Sequence, residues 1–278
     1  MRISPANTQR IMVVALWTLA AMTVFTLLFI LGYVLYHGLP HVTWSFLTES
    51  PRRMGKEGGI FPMIVGTAMV AGLAVLIAGP IGVATAIYLT EYTREGKITA
   101  IIRFGADCLA GIPSIIFGLF GFVFFVITLG MGLSVMAGAL TLAIMVLPTI
   151  IRTSEEAIRA VPRSFSDVSM GLGATRWQTV TRVVLRSASP GIVTGIVLSI
   201  GRCISETAAL MLTAGSALRM PHSALDSCRT LALHFYTLMR EGISPAHAWA
   251  TASVLIVVIL LINLVAYWLM RRFVARTV

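Results

Sequence analysis

Charged residues are scarce in this sequence, and their scarcity excludes most protein classes. Only 12% of the 278 residues are charged, whereas 57% are hydrophobic. A soluble globular domain has about a quarter of its residues charged, and a disordered chain has low hydrophobicity, so both classes are excluded. Carboxylates are scarcer than cations, with 11 aspartates and glutamates against 21 lysines and arginines. The charges lie between long apolar runs, which is typical of a multi-span membrane protein.

Cysteines and metal-binding patterns are also few. The three cysteines, Cys108, Cys203 and Cys228, share no metal-type spacing, and only Cys228 falls in a predicted outside loop. The sequence therefore predicts no disulfide framework. Among the five histidines, only His222 lies near a carboxylate, that of Asp226, so no metal site is expected.

Nucleotide and cofactor signatures are absent. The sequence has no GxxxxGK[ST] phosphate loop, no HExxH pair, and no cytoplasmic segment long enough for a nucleotide-binding domain. We therefore expect no cofactor and no enzymatic activity, so that any ATP hydrolysis would belong to a separate subunit. The chain also lacks an internal duplication.

Six apolar runs could each cross a membrane, because a crossing helix needs about 20 apolar residues. They predict an all-α membrane protein with six transmembrane helices, at residues 11–36, 62–89, 104–129, 133–151, 190–213 and 248–270. Six crossings place both termini on one side, and most lysines and arginines then lie on that side. The positive-inside rule assigns it to the cytoplasm. The prediction is a single transmembrane domain over residues 1–278 with both termini cytoplasmic.

The longest predicted cytoplasmic stretch, residues 152–189, carries the signals of two short helices. Ser164 and Asp167 have the spacing of a capping box, with aspartate in place of glutamate. Gly171 and Gly173 can end the first helix, and Thr175 can cap the second. The pattern alone leaves two interpretations open: an amphipathic element lying on anionic lipid, or a docking surface for a soluble partner.

This stretch resembles the EAA loop of bacterial ABC-importer permeases. The family pattern is E-A-A, three residues, G, nine residues and I-x-L-P, and Gly173, Val183 and Leu185 are in register with it. The departures are Asp167 for Glu, Val168-Ser169 for Ala-Ala, and Arg186 for Pro. In the family this loop inserts into a cleft on the ATPase subunit. The resemblance therefore implies an ATPase-coupling role for Asp167, Val168, Ser169, Gly171, Gly173 and Ala174.

Further motifs resemble the phosphate-specific (Pst) permeases of ABC transporters, A-subunit type. They are Gly-Gly-Ile-Phe-Pro at 58–62, Ile-Tyr-Leu-Thr-Glu-Tyr at 87–92, the glycine-rich run at 112–121, and Gly-Ala-Thr-Arg-Trp at 173–177. The choice of A over C subunit rests mainly on the first two motifs. The resemblance covers residues 58–213. It implies the MetI-like fold of binding-protein-dependent importers, a sister permease of C type, a cytoplasmic ATPase dimer and an extracytoplasmic phosphate-binding protein.

Two charges, Arg202 and Glu206, lie within the predicted fifth span. Their spacing of four places them on one face of a helix, close enough to pair. An unpaired arginine at the bilayer centre costs about 2.5–3.5 kcal/mol, and a guanidinium suits a phosphate through two parallel hydrogen bonds. The pair is therefore either a structural ion pair or part of an anion path. Asp107, near the start of the third span, is a weaker candidate for that path.

The resemblance favours the anion path. Residues 202–207 are similar to the R-x-x-G-E-T stretch of phosphate permeases, with Ser205 in place of glycine. The sequence thus predicts a permease subunit of an ATP-driven importer that moves inorganic phosphate across the bacterial cytoplasmic membrane. Two alternatives remain open: a permease for molybdate or sulfate, and a channel or scaffold that needs no ATPase.

Overall fold

The computed structural model describes residues 5–93 and 96–274, and side chains over 9–93 and 96–268. The helices are α1 Pro5–Gly38, α2 Trp44–Thr48, α3 Phe61–Ile87, α4 Lys97–Ala110, α5 Ser114–Gly121, α6 Val135–Arg159, α7 Arg163–Gly171, α8 Arg176–Thr179, α9 Leu185–Ser205, α10 Ala208–Thr213, α11 Leu231–Arg240 and α12 Pro245–Val274. Wider π-helical turns extend α3 over Tyr88–Tyr92 and α5 over Phe122–Thr128, and join α8 to α9 over Val180–Val184. A small antiparallel hairpin pairs β1 Pro51–Arg52 with β2 Glu57–Gly58.

The all-α membrane architecture is confirmed. In the described residues, five helical stretches are long and apolar enough to cross a membrane: Gln9–His41, Phe61–Tyr92, Val135–Arg159, Arg176–Ser205 and Pro245–Trp268. A sixth crossing is possible if the bent pair of α4 and α5 counts as one span. The side of the membrane on which the termini lie stays a prediction.

The third predicted span, 104–129, is wrong as a single helix. The axis turns by 100° between α4, which ends at Ala110, and the stretch that begins at Ser114. Pro113 is the cause, because a proline has no N–H to donate and disfavours helical backbone at the residue before it. The apolar run by itself predicts one straight helix and gives no sign of this bend.

Two other boundaries also differ from the prediction. The predicted loop 152–189 is largely helical, since α6 continues to Arg159 and α8 begins at Arg176. Only residues 160–175 separate the two long helices. The predicted fifth span, 190–213, divides after Ser205 into α9 and α10. The end of an apolar run is therefore not the end of a helix in this chain.

The core forms where α3, α6 and α9 pack against one another. Small residues permit the close approach, as the GxxxG pattern at 191–195 predicts. A methyl group at Gly191 would collide with Ala157, and one at Gly195 with Thr153. Helix α1 stands apart, because it packs against α12 and leaves its apolar side chains exposed.

The bundle has two ends. The coupling end, named after the ATPase-coupling loop that the sequence predicts, comprises the last turns of α6 together with α7 and α8. The hairpin end comprises residues 44–58 and 214–245. Helix α6 begins at the hairpin end, where the Val135 N–H donates to the Asp226 carbonyl at 2.9 Å, and it finishes at the coupling end.

A buried carboxylate ties α4 to α6 near the coupling end. Glu155 is only 8% exposed. Its Oε1 accepts from Arg103 Nη2 at 2.7 Å and from Arg159 Nη2 at 2.9 Å. Asp107 forms an ion pair with Arg152. Asp107 therefore has a structural partner on α6, which argues against it as a substrate ligand.

Replacing Glu155 tests this tie. We expect Glu155→Ala to lower the free energy of unfolding by about 2–3 kcal/mol, because two guanidinium groups lose a shared buried acceptor. Thermal unfolding of the detergent-solubilised protein measures the effect. Glu156→Ala is the control, since Glu156 is exposed one position along the same helix and should change stability by less than about 0.5 kcal/mol. Equal effects of the two changes would contradict this assignment.

Candidate substrate path and coupling surface

The helix that carries Arg202 is interrupted just beyond it. Helix α9 ends at Ser205, and Glu206 takes an extended backbone conformation with φ −73° and ψ 131°. The Ser205 hydroxyl donates to the carbonyls of Gly201 at 3.0 Å and of Arg202 at 3.2 Å. Such local hydrogen bonds by serine weaken the helix. The break places Arg202 in the last turn of α9, where the helix dipole favours a cation.

Glu206 belongs to the next helix. Its Oε1 accepts the backbone N–H of Ala209 at 3.2 Å, so the carboxylate satisfies a free donor in the first turn of α10. The predicted pairing of Arg202 with Glu206 is therefore wrong, because spacing by four residues brings side chains together only in a continuous helix. Neither residue forms an ion pair with any other described residue.

Arg202 lies on the outer face of the subunit. It is exposed together with Thr194, Leu198 and Ser205, which follow one side of α9. Ser199 and Cys203, on the other side, are buried against the bundle. The guanidinium therefore points away from its own subunit, and anything that neutralises it must come from outside the bundle.

The stretch after the break is held firmly by α5. Glycines of the 112–121 motif allow this contact: a methyl group at Gly118 would lie 2.8 Å from the Ala209 Cα, and one at Gly121 would collide with Thr141. The motif thus serves to seat α10, and with it Glu206. This role explains why glycines stand at these positions.

The coupling surface is the exposed side of α7 and of the turn after it. Helix α7 has no buried residue, and Asp167, Val168, Gly171 and Gly173 are exposed. Large apolar side chains accompany them; they are Phe165, Val168, Met170, Leu172 and Trp177, and Leu172 is the most exposed at 85%. An exposed apolar patch of this kind marks a surface that binds a partner protein or lipid.

The turn after α7 is built as the sequence predicts, but the start of α7 is not. Gly173 has φ +88°, a left-handed conformation that glycine adopts without strain. Thr175 and Gln178 form a reciprocal capping box at the start of α8. Ser164, however, is not an N-cap: α7 begins at Arg163 after Pro162, and no side chain caps it.

The coupling surface is attached to the ends of α3 and α6. The Ser169 and Thr179 hydroxyls are hydrogen-bonded at 2.9 Å, which joins α7 to α8. The Arg176 guanidinium donates to the Glu91 carbonyl and lies over the Tyr92 ring at 5.3 Å. Two motifs far apart in sequence, at 87–92 and 173–177, are therefore in contact. Sequence reasoning found both motifs but missed their contact.

A buried apolar cluster lies beneath the coupling surface. Val184 packs with Ala86 of α3 and Ile158 of α6. A displacement of α7 and α8 would consequently move the ends of two core helices together with α9.

No metal site is found in the described ranges 5–93 and 96–274, where no group of three or more His, Cys, Asp or Glu side chains could hold an ion. The proximity of His222 to Asp226 belongs to a turn. The Asp226 carboxylate accepts the backbone N–H groups of His222 and Ser223, each at 2.9 Å. These hydrogen bonds hold the pKa of Asp226 below its usual value.

Comparison with known proteins decides the family. Residues 78–278 match the family described as "Binding-protein-dependent transport system inner membrane component". The chain belongs to this family. It is therefore a multi-pass permease of the inner membrane and not an enzyme, which confirms the prediction from the sequence.

Similar curated proteins are permeases as well. "Probable ABC transporter permease protein YqgI" of Bacillus subtilis is 32% identical over 266 residues, which is 90% of either chain. "Phosphate transport system permease protein PstA 1" of Mycobacterium tuberculosis is 39% identical over 262 residues, covering 90% of this permease and 83% of the relative. The predicted resemblance to A-subunit phosphate permeases is confirmed.

Solved structures show the same fold. A chain of a bacterial ABC transporter for alginate aligns with a TM-score of 0.63 at 17% identity, over 92% of this permease and 96% of that chain. A chain of the inward-facing methionine transporter MetNI aligns with a TM-score of 0.62 at 20% identity, over 77% of this permease and 95% of that chain. The predicted MetI-like permease fold is confirmed.

Replacing Gly173 with alanine tests the turn of the coupling surface. A side chain costs about 1 kcal/mol in left-handed backbone, so we expect trypsin to cut at Arg163 and Arg176 roughly fivefold faster in Gly173→Ala. Gly171→Ala is the matched control, because both glycines face open space and only Gly173 has positive φ. Equal cleavage rates in the two variants would show that the turn geometry is unimportant.

Proposed function

We propose that this permease carries inorganic phosphate across the cytoplasmic membrane as one half of an ATP-driven importer. The identity of 39% to a phosphate permease supports the substrate. The observation that carries the proposal is the position of Arg202, which is exposed in the last turn of an apolar helix, next to a break, without a carboxylate partner in the described chain. A guanidinium in such a place needs an anion, and a passing oxyanion supplies one.

Arg202 would bind the anion briefly. Its guanidinium can offer two parallel charge-assisted hydrogen bonds to a phosphate. Transport also requires release, so the binding must not be too strong. Glu206, four positions further along and hydrogen-bonded to the first turn of α10, places a carboxylate near the site and so limits the affinity for the anion. The two residues together form the proposed substrate path.

The arrangement implies a second permease. Arg202 faces outward from its own bundle, so a sister subunit would complete the path. The similarity of this chain to A-subunit phosphate permeases makes a C-type permease the proposed sister subunit. An extracytoplasmic phosphate-binding protein would deliver the anion at the hairpin end.

An ATPase dimer is the proposed partner of the coupling surface. Asp167, Val168, Ser169, Gly171, Gly173 and Ala174 would lie in or beside its cleft. Closure of the dimer on ATP would push α7. The Ser169–Thr179 and Arg176–Glu91 hydrogen bonds would pass the displacement to α9 and α3, and so to Arg202.

Removing the charge of Arg202 tests the path. We expect Arg202→Gln to reduce uptake of radiolabelled phosphate at least a hundredfold in a strain that lacks the native permease, because glutamine cannot neutralise the anion. Arg202→Lys should retain part of the uptake. The complex should still assemble and hydrolyse ATP in both variants.

Arg10→Gln is the control, since Arg10 is an exposed arginine at the start of α1, outside the proposed substrate path, coupling surface and hairpin end. Sulfate and molybdate are added as competitors to test the substrate class. Normal uptake by a fully inserted Arg202→Gln variant would refute the role of this residue. Competition by sulfate or molybdate equal to that by phosphate would instead point to another oxyanion.

A charge in the turn after α7 tests the coupling surface. We expect Gly173→Asp to reduce the ATPase that co-purifies with the solubilised permease at least tenfold, because a carboxylate would enter the docking cleft. Gly130→Asp is the matched control: Gly130 also has positive φ and open space around it, so the backbone strain is the same. Unchanged co-purification and uptake in Gly173→Asp would favour a channel or scaffold without an ATPase.

A further inference from the structure

Three polar side chains at the start of α11 are buried, and each has a polar atom without a hydrogen-bond partner. Arg229 is 6% exposed, and Thr230 and His234 are 1% exposed. Within the described residues, Arg229 Nη1, Thr230 Oγ1 and His234 Nδ1 have no partner. The large majority of buried polar side-chain atoms in proteins have one. Three such atoms within six consecutive residues therefore indicate a site that accommodates a ligand.

The three groups belong to one place. Thr230 is the N-cap residue of α11, and His234 lies one turn into the helix, where its backbone N–H donates to the Thr230 carbonyl at 2.8 Å. Arg229 directly precedes them. Its Nε donates to the Ser216 carbonyl at 3.1 Å, which fixes one edge of the guanidinium, and its positive charge acts on the His234 ring.

At neutral pH the side chains of Arg229, Thr230 and His234 can each donate a hydrogen bond. Burial, together with the positive charges of Arg229 and His247, lowers the pKa of His234 to about 3. His234 is therefore neutral near pH 7 and can donate one ring N–H. Burial also lowers the pKa of Arg229, with Glu241 acting in the opposite direction. An arginine remains protonated at neutral pH even so.

The charge balance favours an anion over a water molecule. Arg229 forms no ion pair in the part of the chain that the structure describes, and Glu241, the carboxylate that acts on it, is exposed at the far end of α11. A buried cation without a counter-charge is strongly unfavourable. The N-terminus of α11 adds positive potential; its N-cap side chain, that of Thr230, makes no capping hydrogen bond, and the Leu231 N–H donates to the Thr67 hydroxyl at 2.9 Å.

We propose that Arg229, Thr230 and His234 form a binding site for a small inorganic oxyanion at the hairpin end. The guanidinium supplies charge, while the hydroxyl and the neutral imidazole supply directional donors. The choice of phosphate as the oxyanion rests on the proposed function, whereas the site itself rests on its buried donors. The site lies beyond the α9–α10 break, at the end of the bundle opposite the coupling surface, and would hold the anion at a stage separate from Arg202.

Access to the site depends on a short clasp. The Cys228 N–H and the Ser227 hydroxyl both donate to the Ala214 carbonyl, at 3.1 and 2.9 Å. Cys228 is fully buried beside Arg229, and burial raises the pKa of its thiol to about 12. The thiol therefore reacts only when the clasp opens. A ligand bound beneath the clasp would keep it closed, so Cys228 is a native reporter of the site.

The rate of Cys228 labelling tests the proposal. The assembled complex, carrying Cys108→Ser and Cys203→Ala, is treated with a maleimide in phospholipid-free detergent, without the binding protein, at constant ionic strength. We expect phosphate to slow labelling, about elevenfold at ten times its dissociation constant, because only the closed form binds. Potassium chloride should have no effect. A soluble short-chain phosphatidylglycerol is tested in parallel to detect a lipid headgroup as the ligand.

Variants separate this site from the transport path. In Arg229→Gln the labelling rate without phosphate divided by the rate with phosphate should fall to one, whatever the basal rate. Arg229→Lys should keep part of the protection. Arg219→Gln, which changes an exposed arginine of the hairpin end, should behave like the unmodified protein. Arg202→Gln should lose uptake but keep the protection, so the two proposals can fail independently.

Three results would overturn the site. They are labelling that is independent of phosphate in the unmodified complex, full protection in Arg229→Gln, and protection by phosphatidylglycerol without protection by phosphate. The first would mean that the buried donors meet only water. The last would mean that a lipid occupies the site.

Discussion

A charged group inside an apolar helix must be neutralised by something other than lipid, and this constraint governs the permease. Arg202 cannot be satisfied by Glu206, because the helix stops between them and Glu206 caps α10 instead. Irregular backbone at membrane depth is tolerated only where protein or an aqueous cavity surrounds it. The exposed face of α9 is therefore a surface that another subunit or a water-filled path must cover. The proposed transport of an oxyanion and the requirement for a sister permease both follow from this one position.

The rest of the fold links that position to the coupling end. Helix α8, the π-helical turn and α9 form one continuous helical stretch of 30 residues, Arg176–Ser205, from the capped start of α8 to the break. A push on α7 therefore acts on this whole stretch. Arg176 ties the same helix to the end of α3, and Gly191 and Gly195 seat it against α6. The Glu155 ion pairs add α4 to this assembly. The bundle can therefore respond as one rigid body to a force applied at its exposed apolar patch.

Local signals in the sequence were sufficient for much of this structure. The apolar runs predicted the crossing helices, and Gly173 and Thr175 predicted the turn and the cap of the coupling surface. The break after Ser205 was missed, because no proline or glycine stands there and the spacing of Arg202 and Glu206 fits a continuous helix. The tie of Glu155 to Arg103 spans 52 positions, and the burial of Arg229 and His234 depends on tertiary packing. Neither the long-range ion pair nor the burial of these two residues produces a periodic pattern from which it could be predicted. The bend at Pro113 did have a visible signal, but a continuous apolar run outweighed it.

The most direct test of the central claim is the chemical environment of position 202. In the assembled complex, Arg202→Cys is treated with a negatively charged, membrane-impermeant thiol reagent, and Leu264→Cys, on the exposed apolar side of α12, serves as the comparison for a residue in lipid. If residue 202 borders an aqueous anion path, the cysteine reacts, and phosphate slows the reaction. A cysteine at 202 that remains as unreactive as one at 264 would place it against lipid and contradict the account.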